Sequence, residues 1–261
     1  MKKRNAFIGA ILSLIPLGQP LIIKTGVVLS TTALMLSVAE NVYAKGTSFY
    51  INRGIDKHEA GDFYGAISDY NKAIKLNPND ALSYLNRAVS KHEIEDYEGA
   101  LKDYDKAIKL NPLESFAYAN RGVTKHEIED YYGAISDYTK AIQLTPSDPN
   151  LYNNRGTAKF DLNDIEGAKK DWQKSLALGE PKDAYGYINS GVIKERLEDY
   201  YGAISDYTKA IQLLPNYPYS YVYRGTLKKD QLNDLRGACI DLNQALDLGY
   251  ENYPSWVKDQ C

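Results

Sequence analysis

Residues 47–80 read TSFYINRGIDKHEAGDFYGAISDYNKAIKLNPND, and this 34-residue pattern recurs about six times along the chain. A Gly-Ala step gives the period, because its alanines are separated by 34 or 35 residues. They are Ala66, Ala100, Ala134, Ala168, Ala203 and Ala238. A repeat of this length is typical of a solenoid of small helical units.

Each unit contains two patterns with helical spacing. Tyr50 and Gly54 share one face of a first helix, whereas Ala66, Tyr70 and Ala73 share one face of a second helix. An aspartate before each second helix is suited to N-cap it. These aspartates are Asp62, Asp96, Asp130, Asp164, Asp199 and Asp234.

One column of small residues indicates how the two helices pack. Glycine in the middle of a helix costs about 1 kcal/mol relative to alanine, so its return in five units needs a steric reason. The column is Gly54, Ala88, Gly122, Gly156, Gly191 and Gly225. We expect large second-helix residues to fill the space that it leaves, namely Tyr70, Tyr104, Tyr138, Trp172, Tyr207 and Leu242.

At these residues the chain resembles the tetratricopeptide-repeat family, whose pattern spans 34 residues. The resemblance covers residues 47–249 and implies an all-α fold, a right-handed α-solenoid of six helix pairs. The units lie near residues 47–80, 81–114, 115–148, 149–183, 184–217 and 218–249, and residues 250–261 form a C-terminal tail.

The chain departs from the family pattern by carrying Arg and Lys on the first helix and one Asp on the second. The bases are Arg53, Arg87, Arg121, Arg155 and Arg224, with Lys57, Lys91, Lys125, Lys159, Lys194 and Lys228 four residues later in each unit. The acids are Asp69, Asp103, Asp137, Asp171, Asp206 and Asp241. One acid per unit favours ion pairs within each unit, and a basic stripe for an anionic ligand is the second interpretation.

The resemblance also implies a groove, lined by the first helices, that holds an extended peptide or a helix of a partner protein. The first half of this lining is apolar, so we predict that it contacts an apolar segment. The predicted partner-binding residues are Leu82, Leu85, Val89, His92, Phe116, Val123, His126, Asn153 and Phe160. Packing between neighbouring first helices is the alternative role for these side chains.

Two small sets of residues have other interpretations. His58, His92 and His126 occupy one column, but first helices about 10 Å apart would not gather three nitrogens about 2 Å from one metal ion. We therefore expect no metal or other cofactor. Cys239 and Cys261 either form a disulfide that joins the tail to the last unit, or Cys239 is simply packed in the core.

The first 44 residues are different in character from the repeats. Basic residues at positions 2–4 precede two apolar runs, and small residues at positions 42 and 44 suit a cleavage site. This order predicts export to the periplasm or an equivalent lumen, with cleavage near residue 44. An uncleaved membrane anchor within residues 1–39 is the alternative, because the segment is longer than most signals.

The sequence predicts a binding protein rather than an enzyme. It has no Gly-rich phosphate loop and no Cys-x-x-Cys, and every acidic cluster is a repeat column. We predict a non-catalytic scaffold for a protein partner. The alternative is an RNA-binding helical repeat, but the net charge of -3 does not favour nucleic acid.

Overall fold

The computed structural model describes residues 31–251 with Val257 and Cys261, and it describes side chains from Lys45 onward. These residues form twelve α-helices and no strand. The helices are α1 (Thr31–Glu59), α2 (Phe63–Leu76), α3 (Ala81–Glu93), α4 (Tyr97–Leu110), α5 (Ser115–Glu127), α6 (Tyr131–Leu144), α7 (Pro149–Asp161), α8 (Ile165–Ala177), α9 (Ala184–Arg196), α10 (Tyr200–Leu213), α11 (Pro218–Leu232) and α12 (Leu235–Asp247). The predicted all-α array of six helix pairs is confirmed.

The chain divides after Asp164 into two compact units. Unit 1 contains α1 to α7, and α1, α3 and α5 each pack against the second helix that follows. Unit 2 contains α8 to α12, in which α9 packs on α10 and α11 packs on α12. Most of the predicted export signal lies outside the described residues. No helix in the described part of the chain has the length and apolar character needed to span a membrane.

Aspartate caps begin the second helices, as the sequence predicts. The Asp62 carboxylate accepts a hydrogen bond from the Gly65 backbone N–H at 2.9 Å. Equivalent bonds form at Asp96, Asp130, Asp199 and Asp234. Each cap satisfies a backbone donor that the helix itself leaves unpaired.

The glycine column has the predicted steric cause. A Cβ atom placed on Gly54 would lie 2.5 Å from Cε1 of Tyr70, and one on Gly191 would lie 2.5 Å from Cε1 of Tyr207. These distances are shorter than real Cβ contacts, so the tyrosine ring occupies the space that a methyl group would need. Tyr70, Tyr104, Tyr138, Trp172, Tyr207 and Leu242 are all buried.

A disulfide closes the C-terminal end of unit 2. Cys239 on α12 is bonded to Cys261, so the disulfide interpretation of the two cysteines is the one that the structure shows. Tyr250 and Val257 of the tail are buried in the cluster that contains Val222. The tail therefore covers an apolar face of the last repeat.

Candidate functional site

The Arg, Lys and Asp columns form an ion-pair network in the first, second, third and sixth repeats. Nε and Nη2 of Arg53 donate to the two carboxylate oxygens of Asp69 at 2.7 and 2.6 Å. The Lys57 Nζ lies 2.9 Å from the same carboxylate. The Arg53 guanidinium and its neighbouring ammonium groups hold the pKa of Asp69 well below its usual range.

The same network returns in most of the other repeats. Its members are Arg87, Lys91 and Asp103; Arg121, Lys125 and Asp137; and Arg224, Lys228 and Asp241. In the fifth repeat Ser190 replaces arginine, and its hydroxyl donates to Asp206 at 2.6 Å. The structural interpretation is thus confirmed, because these bases neutralise a buried carboxylate and do not form a stripe for an anionic ligand.

Three of the predicted partner-binding residues are well exposed on first helices. Leu82 on α3 is 42% exposed, Phe116 on α5 is 50% exposed and Phe160 on α7 is 42% exposed. Leu82 and Phe116 occupy the same position in consecutive repeats. They therefore place exposed apolar surface at the same position along two neighbouring first helices.

Leu85 and Val123 belong to the hydrophobic core of unit 1. Leu85 is 8% exposed and packs with Tyr104, and Val123 is 6% exposed and packs with Tyr138. Val89 packs against the first of these clusters and is half-buried. These three side chains therefore pack between helices of unit 1, and their role in partner binding stays a prediction.

The histidines connect each repeat of unit 1 to the next. Nδ1 of His58 lies 2.9 Å from the Ser90 hydroxyl, and Nδ1 of His92 lies 3.0 Å from the Thr124 hydroxyl. Burial lowers the pKa of both imidazoles. His126 makes a different bond, from Nε2 to Asp161 at 2.8 Å.

Each histidine bonds to a different side chain, which lies on the first helix of the following repeat. Within the described residues no group of three or more His, Cys, Asp or Glu side chains is arranged to hold a metal ion. His92 and His126 thus each bond to the first helix of the following repeat.

A column of asparagines, which the sequence analysis did not identify, lies on the same helices. Asn52, Asn86, Asn120 and Asn154 are separated by 34 residues each. Nδ2 of Asn86, Nδ2 of Asn154 and Oδ1 of Asn153 are buried, and none of the three atoms has a hydrogen-bond partner among the described residues. The regular spacing of the asparagines was the signal that could have revealed them.

A row of carboxylates continues this face. Glu59, Glu93, Glu127 and Asp161 also recur every 34 residues, seven positions after each asparagine. Positions four and seven apart lie on one side of a helix, so Leu82, Asn86 and Glu93 share a face of α3. Phe116, Asn120 and Glu127 share the corresponding face of α5. We call these two sets, with the equivalent residues of α1 and α7, the first-helix face.

The first-helix face forms a continuous layer in unit 1. α1 contacts α3, α3 contacts α5, and α5 contacts α7. Among the described helices of this unit, no two second helices approach each other as closely. The first helices therefore lie on the inner side of the curve of unit 1, where side chains of adjacent repeats converge.

Comparison with known families identifies the repeat. A model described as "TPR repeat" matches residues 56–94 and 122–160. A second model, described as "Tetratricopeptide repeat", matches residues 81–112 and 184–217. No curated protein matches the chain at a significant level of sequence similarity.

Solved structures share the fold at low sequence identity. A chain from the anaphase-promoting-complex heterotetramer Cut9-Hcn1 has a TM-score of 0.69 and 18% identity. The match covers 87% of this chain but only 44% of that one. PilF of Pseudomonas aeruginosa has a TM-score of 0.64 and 20% identity, with coverage of 79% and 93%. A thermophilic TPR protein of Thermus thermophilus, TTC0263, has a TM-score of 0.60 and 16% identity, with coverage of 69% and 98%.

Proposed function

We propose that this chain, whose repeats match tetratricopeptide-repeat models, is a non-catalytic scaffold that binds a segment of a partner protein on the first-helix face of unit 1. The observation that carries this proposal is the exposure of Leu82 and Phe116 at one level of two adjacent first helices. Proteins of this fold generally bind other proteins. Exposed apolar side chains on a rigid layer supply the contact area that such binding needs.

The ion-pair networks support this role by keeping the layer rigid. Each network joins the two helices of one repeat through a buried aspartate. The histidines of the first two repeats add a bond to the next repeat. A partner then meets a surface that is already ordered, which lowers the entropy that binding must overcome.

The proposal is tested by retention of partners from an envelope extract on the full chain. The variant Leu82→Glu with Phe116→Glu places charge on the first-helix face, and we expect it to lose the partner. The matched control is Tyr64→Glu with Tyr132→Glu, since these tyrosines are 74% and 77% exposed on second helices. If the control loses the same protein, or if the first pair retains it with unchanged circular dichroism, the binding surface lies elsewhere.

We also propose that the protein acts outside the cytoplasm. The basic and apolar order of residues 1–44 supports export, and the bond between Cys239 and Cys261 is of a kind that persists in oxidising compartments. The mass of the protein from cells tests this, because cleavage near residue 44 removes the signal. A full-length protein in the membrane fraction would instead support the anchor. Free thiols at both cysteines in intact cells would contradict export.

A further inference from the structure

The second helices of unit 1 carry lysines that the ion-pair networks do not use. Lys75 and Lys109 stand in the last turns of α2 and α4, and both are exposed. Lys106 and Lys140 occupy one column, 34 residues apart, and both are half-buried. Within the described part of the chain, no aspartate or glutamate forms an ion pair with any of these four lysines.

These lysines lie at one end of unit 1, because the two helices of a repeat run in opposite directions. A Cβ atom placed on Gly46 of α1 would lie 3.0 Å from Cδ1 of Leu76, the last residue of α2. The Ser115 hydroxyl, at the start of α5, donates to the Ala141 carbonyl in the last turn of α6 at 3.2 Å. The first helices thus begin where the second helices end. We call this end the lysine edge, and its lysines are Lys45, Lys75, Lys106, Lys109 and Lys140.

Charge is divided between the two ends of unit 1. Three acids also lie at the lysine edge, and two of them cap helices: Asp80 accepts from the Ser83 backbone N–H, and Asp148 accepts from that of Asn150. The third acid is Glu114, before α5. The opposite end, where each first helix turns into its second helix, carries Asp62, Glu93, Glu95, Asp96, Glu127, Glu129 and Asp130. The lysine edge is therefore the positive end of unit 1.

An exposed leucine accompanies the lysines. Leu113 stands in the loop between α4 and α5, four residues after Lys109, and it is 74% exposed. The equivalent residues of the neighbouring repeats are Asn79 and Ser147, so the repeat pattern does not require an apolar side chain here. A protruding leucine beside lysines suits the boundary of a bilayer, where apolar side chains enter the acyl region and lysines reach the headgroups.

The N-terminal part of the chain enters unit 1 at the same edge. α1 has 29 residues, whereas α3 and α5 have 13 each. The additional length is residues 31–46, which extend the helix by roughly 24 Å before the first repeat starts. The apolar runs of the first 44 residues lie at or before this extension in the sequence. A membrane that receives these runs therefore lies on the side of the lysine edge.

We propose that the lysine edge binds an anionic lipid surface, with its ammonium groups against headgroup phosphates and Leu113 at the acyl boundary. This inference goes beyond the proposed function, because it concerns the ends of the second helices and not the first-helix face. Each lysine close to an anionic bilayer adds to the attraction, which falls off within about 10 Å at 0.1 M salt. Bound in this way, unit 1 directs its acidic turns away from the membrane.

The test measures co-sedimentation of the full chain with vesicles of two compositions. One is an equal mixture of phosphatidylglycerol and phosphatidylcholine, and the other is phosphatidylcholine alone. We expect tighter binding to the anionic vesicles, and weaker binding as salt is raised. The variant Lys75→Gln with Lys109→Gln and Lys140→Gln should bind the anionic vesicles at least about tenfold more weakly than the unaltered protein.

The matched control removes the same charge from the other half of the second helices. It is Lys102→Gln with Lys169→Gln and Lys170→Gln, in the N-terminal halves of α4 and α8. We expect the control to bind as the unaltered protein does, and circular dichroism shows whether both variants are folded. The N-terminal apolar runs are the same in every variant, so a difference between variants reports the lysines alone.

A fluorescent label shows which end of unit 1 meets the lipid. The two cysteines of the chain are bonded to each other, so Leu113→Cys provides a single thiol for an environment-sensitive dye. We expect the emission of this dye to shift to the blue on anionic vesicles. The same dye at Tyr132→Cys, a position 77% exposed at the start of α6, should keep its emission.

Three outcomes overturn the inference. Equal binding by the two lysine variants would show that the edge has no special role, and an emission shift at position 132 alone would place another surface on the lipid. Tighter binding to single-stranded RNA than to anionic vesicles, lost in the same lysine variant, would show that the edge binds nucleic acid. The proposed function is judged separately, because Leu82→Glu with Phe116→Glu leaves every lysine of the edge in place.

Discussion

Residues 129–144 and 198–213 have the same sixteen-residue sequence, yet they form helices in different units of the molecule. α6 and α10 are both fourteen residues long. Asp130 and Asp199 cap them with the same bond, to Gly133 and Gly202. Identical local sequence has therefore produced identical local structure in two settings.

The two copies differ in what their buried polar groups contact. The hydroxyl of Tyr138 in α6 is buried and has no partner among the side chains that the structure describes, whereas that of Tyr207 in α10 donates to Glu195 at 2.9 Å. Asp137 is neutralised by an arginine and a lysine, but Asp206 has one lysine and the hydroxyl of Ser190. The neighbouring first helix, and not the shared sequence, decides these interactions.

The largest expected difference between the copies concerns the two aspartates. We expect Asp137→Asn to lower the free energy of unfolding by about 3 kcal/mol, because Arg121 and Lys125 lose their shared carboxylate. Asp206→Asn should cost about 1–2 kcal/mol, since only Lys194 loses an ionic partner and Ser190 can bond to the amide. Urea unfolding followed by circular dichroism measures both. Equal losses in the two variants would show that Arg121 adds nothing to the free energy of unfolding.

The glycines that face the two tyrosine rings should behave alike. A Cβ on Gly122 would lie 2.8 Å from Tyr138, and one on Gly191 would lie 2.5 Å from Tyr207. We expect alanine at either position to destabilise the protein by about 1–3 kcal/mol in spite of its better helix propensity. Thermal unfolding tests this. Gly61→Ala is the comparison for backbone strain alone, because Gly61 has a positive φ of 79° and no described atom lies near its added Cβ. Stabilisation by either helix-interior change would contradict the packing argument.

Removing the two hydroxyls should have opposite effects. Tyr207→Phe breaks the bond to Glu195 and should cost about 1 kcal/mol. Tyr138→Phe removes an unpaired buried hydroxyl, so it should leave stability unchanged or raise it. The same urea experiment compares the two variants. A loss at Tyr138 as large as that at Tyr207 would imply that its hydroxyl has a bonding partner.

The smallest expected effect concerns pH, and it is confined to unit 1, where all three histidines lie. Burial lowers the pKa of His58 and His92 below the unfolded value near 6.5, so the unfolded chain binds protons more readily. The two neutral imidazoles therefore contribute stability to the folded state above that pH. This contribution is lost as the pH falls from about 6.5 through the lower pKa of the folded state.

The pH effect is measured by urea unfolding between about pH 7.5 and 5.5. We expect a smaller loss of stability in His58→Gln with His92→Gln than in the unaltered protein. Burial raises the pKa of Glu93 and Glu127, so these carboxylates oppose the effect at lower pH, but both proteins contain them. Identical pH profiles would rule out a contribution from the imidazoles.

Much of the candidate face could be predicted from the sequence, although its division into exposed and buried residues could not. Helical spacing placed Leu82 and Leu85 in the same group, because both lie near the inner side of α3. Only the approach of neighbouring helices separated them, leaving Leu82 exposed and Leu85 inside the core with Tyr104. The asparagine column was readable from its spacing, but nothing in the sequence shows that Asn86 lacks a partner.

The sequence by itself determined the repeat length, the helix pairs, the aspartate caps and the glycine column. Each of these depends on residues within a few turns of one another, so local spacing is sufficient to predict them. The tertiary structure alone decided which polar groups are satisfied, because their partners lie on other helices. Ser90 and Thr124 are contacts of His58 and His92 only after the repeats have packed. Tyr138 and Tyr207 share their sequence surroundings but not their partners, for the same reason.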